Sequence, residues 1–291
     1  MTSLKQRAPQ PLKRLGRRAT RAVGERTSGA RMLPSFLLAG AQRCGTTSLF
    51  RALIAHPAVL PAVHHKGVNY FDVNHDKGWR WYRGHFPVAA TARLRTARAG
   101  EAVQTFDASG YYLYHPHAAR RIAEELPQAK VVVMLRDPVE RAFSAWKHEQ
   151  ARGFETESFE RALALEDDRV EADLQRMLAD ESYQGFSHRH HSYRRRGQYA
   201  EQLASLLQHV PRERLHVVDS DDFFAHPAEE LRRTLDFLGL GPRMPASFGR
   251  WNARPGTDLQ DEVRRRLRRD LEPHDDALAA MLGTVPSWRR T

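Results

Sequence analysis

Residues 35–53 read SFLLAGAQRCGTTSLFRAL and combine a short strand, a glycine-bounded loop and the start of a helix. The apolar run 36–39 is typical of a strand buried on both faces of a parallel sheet. Gly40 and Gly45 allow the chain to turn sharply and to approach a ligand closely. Three hydroxyl residues then open a helix, whose first N–H groups and positive dipole end favour an anion. The stretch therefore predicts a phosphate or sulfate site.

The spacing of this loop is close to that of the ATP-binding P-loop, G-x-x-x-x-G-K-[ST], but Thr46 replaces the lysine. The cation of the loop is Arg43, which lies between the two glycines. This arrangement resembles the phosphosulfate-binding loop of sulfotransferases, which use 3′-phosphoadenylyl sulfate (PAPS) as sulfonate donor. An ordinary strand–turn–helix corner is the alternative interpretation of the loop taken alone.

The charge of the 291-residue chain is concentrated at its N-terminus. Residues 1–32 contain nine Lys or Arg and one acid, within a net charge of +11 for the whole chain. We expect this tail to be disordered and solvated, without a specific nucleic-acid partner, although weak contact with an anionic membrane surface is an alternative. We expect no transmembrane segment or secretory signal, and a single cysteine, Cys44, fits a cytoplasmic location.

Further strands and helices alternate along the chain. Residues 102–107, 130–135 and 215–218 are predicted strands, and 130–135 is β-branched and apolar enough to be central. The predicted helices are 116–126, 138–150, 199–209, a helix capped by Asp221, and 258–282. This alternation predicts an α/β fold, a parallel sheet flanked by helices on both faces. We assign residues 33–291 to a single domain.

Histidines cluster in the segment 187–199, SHRHHSYRRRGQY. Close histidines are compatible with a metal site, but no acidic or cysteine ligand flanks them at zinc spacing. A solvated basic loop is therefore the preferred interpretation of this segment.

A second anion site is predicted directly after the central strand. Ligands of open α/β sheets bind at the carboxyl ends of the strands, where Arg136 lies. Ser144 follows on the next helix, and a guanidinium with a hydroxyl suits a phosphate. Two anion sites on neighbouring strand ends imply a ligand with two separated phosphate-type groups.

Residues 135–144, LRDPVERAFS, are similar to the 3′-phosphate signature of sulfotransferases, particularly the heparan-sulfate-type branch and its bacterial relatives. The resemblance spans most of residues 34–288 and implies a P-loop-like three-layer fold. It assigns Arg136 and Ser144 to the 3′-phosphate. The other donor-binding residues that it implies are Arg43, Cys44, Gly45, Thr46, Thr47 and Ser48 in the loop, Arg196, Gly197 and Tyr199 in an R-x-G-x-Y-type segment, and Arg254 in a mobile loop.

The implied reaction moves a sulfuryl group from PAPS to an acceptor hydroxyl or amine and releases adenosine 3′,5′-bisphosphate. Arg43 and the helix N–H groups would stabilise the leaving phosphate, and no metal is expected. Many heparan-sulfate-type enzymes have a catalytic glutamate where this chain has Gly67. Asp107 and His65 are the preferred candidates for the base, with Asp72 nearby, and Lys66 matches a family lysine that balances sulfuryl charge.

Two other functional classes remain as alternatives, a P-loop kinase or NTPase and a basic nucleic-acid-binding protein. The first lacks its lysine after Gly45, and the second is suggested by charge alone. The acceptor stays open at this point between a carbohydrate, a glycolipid and a small metabolite.

Overall fold

A computed structural model describes residues 20–249 and 259–290. Its centre is one sheet of parallel strands: β1 (Phe36–Gly40), β2 (Val59–Pro61), β3 (Gln104–Asp107), β4 (Lys130–Leu135) and β5 (Leu215–Asp219). The spatial order of the strands is β2-β3-β1-β4-β5. Every residue of β1 and all but the first of β4 are buried, so helices cover both faces of the central strands. The predicted α/β fold is confirmed.

The helices follow the predicted alternation with the strands. They are α1 (20–26), α2 (Thr46–Ile54), α3 (Gly78–Arg83), α4 (Ala89–Ala99), α5 (Ala118–Glu125), α6 (Pro138–Gln150), α7 (Phe159–Ala164), α8 (Glu166–Ala179), α9 (Phe186–His190), α10 (Tyr199–Leu207), α11 (Ser220–Ala225), α12 (Pro227–Leu238) and α13 (Asp261–Leu282). In the described part of the chain, no helix combines the length and the apolar character needed to cross a bilayer.

Strand β2 was not predicted from the sequence. It has three residues, one of which is Pro61, and it pairs only with β3 at the edge of the sheet. A proline has no N–H to donate to a sheet ladder, so it is tolerated at an edge strand. The strand is therefore too short and too atypical in composition to be recognised from local pattern.

Two helix starts show how local chemistry sets the loops at the carboxyl edge of the sheet. Asp137 caps α6 as predicted, because its side chain accepts hydrogen bonds from the N–H groups of Val139 and Glu140. The predicted cap at Asp221 is wrong. Asp219, the last residue of β5, caps α11 by accepting from the N–H groups of Asp221 and Asp222.

The N-terminal boundary of the folded domain also differs from the prediction at residue 32. Residues 20–26 form α1, and Arg31 donates to the carbonyl of Phe86 at 2.6 Å. Arg31 also forms an antiparallel bridge with Val88. Residues 20–32 are therefore part of the ordered domain rather than of a disordered tail, while residues 1–19 lie outside the described range.

Candidate active site

The two predicted anion motifs lie on neighbouring strands. Leu38 of β1 is in register with Val132 of β4, and the N–H of Ala41 donates to the carbonyl of Met134 at 2.8 Å. The loop after β1 and the segment after β4 therefore leave the sheet side by side at its carboxyl edge. The two motifs are therefore neighbours at one edge of the sheet, as expected, and their sharing one ligand stays a prediction.

The loop after β1 is shaped by residues in the left-handed region. Gly45 has φ of 88° and precedes α2, and a Cβ there would lie 3.0 Å from the ring of Phe224. Arg43 has φ of 72°. This tight turn leads directly into the first turn of α2, where the N–H of Ser48 donates to the carbonyl of Gly45 at 2.8 Å. The positive end of the helix dipole at this turn favours an anion.

Two cations lie against this helix start. The Nε of Arg43 donates to the Oγ of Ser144 at 3.1 Å, which joins the two motifs directly. The Nζ of Lys66 donates to the hydroxyls of Thr46 and Thr47 at 3.0 and 3.2 Å. Burial lowers the pKa of Lys66 to about 8, because its ammonium loses contact with water.

A third cation, Arg136, follows β4 at the same edge. Its side chain is half-buried, and it has no hydrogen-bond or ion-pair partner among residues 20–249 and 259–290. Its carbonyl accepts from the hydroxyl of Tyr199 at 2.9 Å, which fixes the backbone at this point. The backbone of Arg136 is thus fixed at the carboxyl edge of the sheet, where its guanidinium could reach a ligand in the neighbouring loop.

Arg196 supports the loop from the protein interior. It is 4% exposed and donates to the carbonyls of His188 and Arg189 and to the side-chain oxygen of Gln42 in the loop. Its guanidinium lies 4.7 Å from the ring centroid of Tyr111. Both Nη groups of Arg196 donate to the protein, and within the described residues its buried Nε has no hydrogen-bond partner. Arg196 therefore supports the loop, and its contact with a nucleotide stays a prediction.

Three other predicted donor-binding residues also face the interior. The Cys44 thiol is fully buried 3.5 Å from the hydroxyl of Tyr199, and burial raises its pKa. Tyr199 is 1% exposed, and Gly197 packs against Pro138 at the start of α6. These three residues pack β4, α6 and the loop against one another, and their predicted donor-binding role stays a prediction.

Asp107 has the environment of a structural residue. It is 0% exposed, and its carboxylate accepts from the N–H of Val68 at 2.9 Å and from the hydroxyls of Ser109 and Tyr112 at 2.7 and 2.6 Å. Burial raises its pKa, and these hydrogen bonds oppose the rise. These contacts favour a structural role for Asp107, and its role as a catalytic base stays a prediction.

Gly67 occupies a position where the backbone admits no side chain. A Cβ at this residue would lie 2.6 Å from the carbonyl oxygen of Ala108 and 2.8 Å from the Oγ of Ser109. The segment around Lys66 thus packs backbone to backbone against the chain after β3. Of the predicted base candidates, His65 is the exposed one, and it lies next to Lys66 in the chain.

The histidine segment is buried, so the predicted solvated loop is wrong. His188 donates to or accepts from the hydroxyl of Tyr111 at 2.7 Å, and His190 lies 2.9 Å from Glu149. Burial lowers the pKa of His188 to about 3, which keeps its ring neutral at pH 7. Within the described ranges, no three His, Cys, Asp or Glu side chains are grouped as metal ligands.

Along α2, from Ser48 to Ala55 after its last residue, lies a cavity of about 320 Å³ that was not predicted. Ser48 and Arg51 line it on one side and Phe223, Phe224 and Phe248 on another. The aromatic residues come from distant parts of the sequence, so no local pattern signals this cavity. A planar apolar group fits such a lining.

Comparison with known proteins identifies the family. The profile described as "Sulfotransferase family" matches residues 34–243, well over half of the chain. The chain belongs to the sulfotransferase family.

Several sulfotransferases of known name are similar to it. Human heparan sulfate glucosamine 3-O-sulfotransferase 3B1 is 26% identical over 90% of this chain and 66% of its own length. Human bifunctional heparan sulfate N-deacetylase/N-sulfotransferase 2 is 27% identical over 89% of this chain and 31% of its own length. The chain thus spans from under a third to just under two thirds of these relatives.

A solved sulfotransferase structure has the same fold. The crystal structure of a sulfotransferase from Alicyclobacillus acidocaldarius matches 89% of this chain and all of its own chain, with a TM-score of 0.65 and 27% identity. The predicted resemblance and the P-loop-like sulfotransferase fold are therefore confirmed. The predicted Arg254 and its segment 252–256 lie outside the described residues.

Proposed function

We propose that this sulfotransferase moves a sulfuryl group from PAPS to a hydroxyl or amine of a carbohydrate-type acceptor. The observation that carries the proposal is the convergence of Arg43, Lys66 and Arg136 at one sheet edge, with Arg43 bonded to Ser144. One anion-binding helix start and a separate guanidinium suit a ligand with two anionic ends. Such a ligand is an adenine nucleotide that carries a phosphosulfate and a 3′-phosphate.

The residues present fit each part of this donor. The loop from Arg43 to Ser48 and the first turn of α2 would hold the 5′-phosphosulfate. Arg136 and Ser144 would hold the 3′-phosphate, and the aromatic cavity beside Ser48 has a lining suited to adenine. These assignments keep the donor-binding prediction for the loop, Arg136 and Ser144.

The chemistry of the donor is transfer of an activated sulfuryl group to a nucleophile. The contribution of the protein is alignment and charge stabilisation. Lys66 is anchored to Thr46 and Thr47, so its ammonium is fixed over the helix start. Together with Arg43 it offsets negative charge that develops on the departing phosphate. Because both cations are held by hydrogen bonds, little reorganisation is needed when that charge appears.

The proton of the acceptor requires a base, and His65 is the residue we assign to this role. Its side chain is exposed beside Lys66, and histidine is the side chain that most often acts as a general base. The saturated carboxylate of Asp107 and the side-chain-free Gly67 favour this assignment over the alternatives. His65→Ala should slow turnover about 100-fold without weakening bisphosphate binding. Turnover equal to that of the wild type would remove His65 from the mechanism.

The carbohydrate class of the acceptor is supported by the names of the similar proteins. Both human relatives are named for modification of heparan sulfate, one at a glucosamine hydroxyl and one at nitrogen. Because this chain is similar to both proteins, we infer that its acceptor is a hydroxyl or an amine of a sugar.

A binding and transfer assay tests the proposal. Adenosine 3′,5′-bisphosphate should raise the melting temperature of the full chain, and ATP with Mg²⁺ should raise it far less. Incubation with sulfur-labelled PAPS and an amino-sugar polysaccharide should move label to the polysaccharide. Stabilisation by ATP with Mg²⁺ alone would instead favour a nucleotide kinase or NTPase.

A further inference from the structure

Residues 1–100 and residues 101–291 carry net charges of opposite sign. Residues 1–100 contain 18 of the 46 Lys and Arg but only three of the 35 Asp and Glu, so their net charge is +15. The remaining residues have a net charge of −4. The positive charge of the protein is therefore a property of its first hundred residues, most of which are folded.

Seven exposed cations among residues 20–100 form no ion pair with a carboxylate of the described chain. In the described part of the chain, none of the following seven forms an ion pair with a carboxylate: Arg21, Arg26, Lys77, Arg80, Arg93, Arg95 and Arg98. We refer to these seven side chains as the basic surface. By contrast, Arg120, Arg195 and Arg233 each pair with two carboxylates.

The elements that carry the basic surface are joined to one another. Gly24 of α1 lies directly against Gly84 at the end of α3. The guanidinium of Arg83 donates to the carbonyls of Gly29 and Arg31 at 3.1 and 2.9 Å. The bridge from Arg31 to Val88 then leads into α4. The cations of α1, α3 and α4 thus belong to one continuous part of the protein.

Large apolar side chains are exposed among these cations. Leu94 is 68% exposed between Arg93 and Arg95, Val23 is 54% exposed on α1, and Leu33 is 42% exposed. A soluble polyanion would bind to the basic side chains alone. A bilayer would bind to the basic and the apolar side chains, since basic groups attract acidic headgroups while aliphatic groups enter the interface.

We propose that the basic surface docks this protein on an anionic lipid bilayer. The surface is connected to the site, because the N–H of Val63 donates to the carbonyl of His85 at 2.8 Å and the rings of His64 and His85 lie 5.8 Å apart. The segment that continues to His65 and Lys66 is therefore anchored to the end of α3. If the proposed sulfuryl transfer holds, the acceptor is a sugar headgroup carried by the bilayer.

Vesicle flotation of the full chain tests the docking without any turnover. The probe is mixed phosphatidylcholine and phosphatidylglycerol vesicles, compared with pure phosphatidylcholine. The variant R93S/R95S/R98S should bind the mixed vesicles about 100-fold more weakly, because each cation near an acidic leaflet contributes about fivefold. Leu94→Ser should weaken vesicle binding about tenfold and leave binding to a heparin column unchanged.

The matched control is R265S/R266S/R269S, which removes the same charge from exposed positions of α13. It keeps residues 1–19, as the α4 variant does, and it should retain vesicle binding. Equal losses in the two triple variants would overturn the proposal in favour of a net-charge effect. If Leu94→Ser binds vesicles as tightly as the wild type, the proposal is wrong, and a soluble polyanion is the better candidate for the partner of the basic surface. Bisphosphate binding is measured separately for each variant. Failure of the docking proposal can therefore be distinguished from failure of the proposed donor site.

Discussion

The ammonium group of Lys66 makes the affinity for an anionic nucleotide depend on pH. Burial lowers its pKa from 10.5 to about 8 in the free protein. A bound phosphosulfate or phosphate beside Thr46 and Thr47 favours the charged form and raises this pKa again. The complex therefore binds more protons than the free protein above pH 8, and affinity falls as the pH rises through this range.

The size of the effect follows from the same values. If the bound nucleotide restores the pKa to 10.5, the difference corresponds to about 3 kcal/mol of binding free energy at high pH. Between about pH 7 and about pH 9.5 the affinity for adenosine 3′,5′-bisphosphate should fall about 30-fold. The phosphates are already ionised over this range, since their second pKa lies near 6.

Calorimetric titration of the bisphosphate at constant ionic strength measures this dependence. Lys66→Arg should bind without the loss at high pH, because a guanidinium stays charged. Lys66→Met should bind weakly and independently of pH, and its deficit relative to the wild type should narrow from about 300-fold near pH 7 to about tenfold near pH 9.5. A wild-type affinity that is constant from pH 7 to pH 9.5, or a slope that persists in Lys66→Met, would refute the reasoning.

Three further substitutions test the other parts of the site. Arg136→Ala should weaken bisphosphate binding about 100-fold or more by titration calorimetry, because it removes charge-assisted hydrogen bonds from a half-buried position; an unchanged dissociation constant would contradict its role. Asp107→Asn should keep turnover per folded molecule while denaturant titration shows about 2 kcal/mol less stability, since the carboxylate accepts three buried hydrogen bonds. Slow turnover at full stability would restore Asp107 as the base. Gly67→Glu should lower the melting temperature without faster turnover, because its Cβ meets the carbonyl of Ala108; a stable, faster enzyme would show that the loop accepts the side chain.

The parts of the fold that could be predicted are those fixed by neighbours in sequence. The apolar run before Gly40, the β-branched strand before Arg136 and the Asp137 cap all act within a few residues. Together they placed two anion motifs on adjacent strand ends. The pairing of these strands then followed from the general geometry of parallel sheets.

The roles that could not be predicted depend on partners far away in the chain. Asp107 is hydrogen-bonded to Val68 and Tyr112, and Arg196 to Gln42, more than a hundred residues earlier in the chain. The burial of the histidine segment similarly depends on Tyr111 and Glu149. The sequence around a polar residue does not show its distant hydrogen-bond partners. A prediction from local pattern therefore places such a residue at the surface, even where the fold buries it.

The most direct test of the account is a crystal structure of the protein soaked with adenosine 3′,5′-bisphosphate. The 5′-phosphate should lie against the first turn of α2 near Arg43 and Lys66, and the 3′-phosphate against Arg136 and Ser144. The adenine should occupy the cavity beside Phe224. Nucleotide density at any other place, with no contact to Arg136, would contradict the claim that two neighbouring strand ends bind one doubly anionic nucleotide.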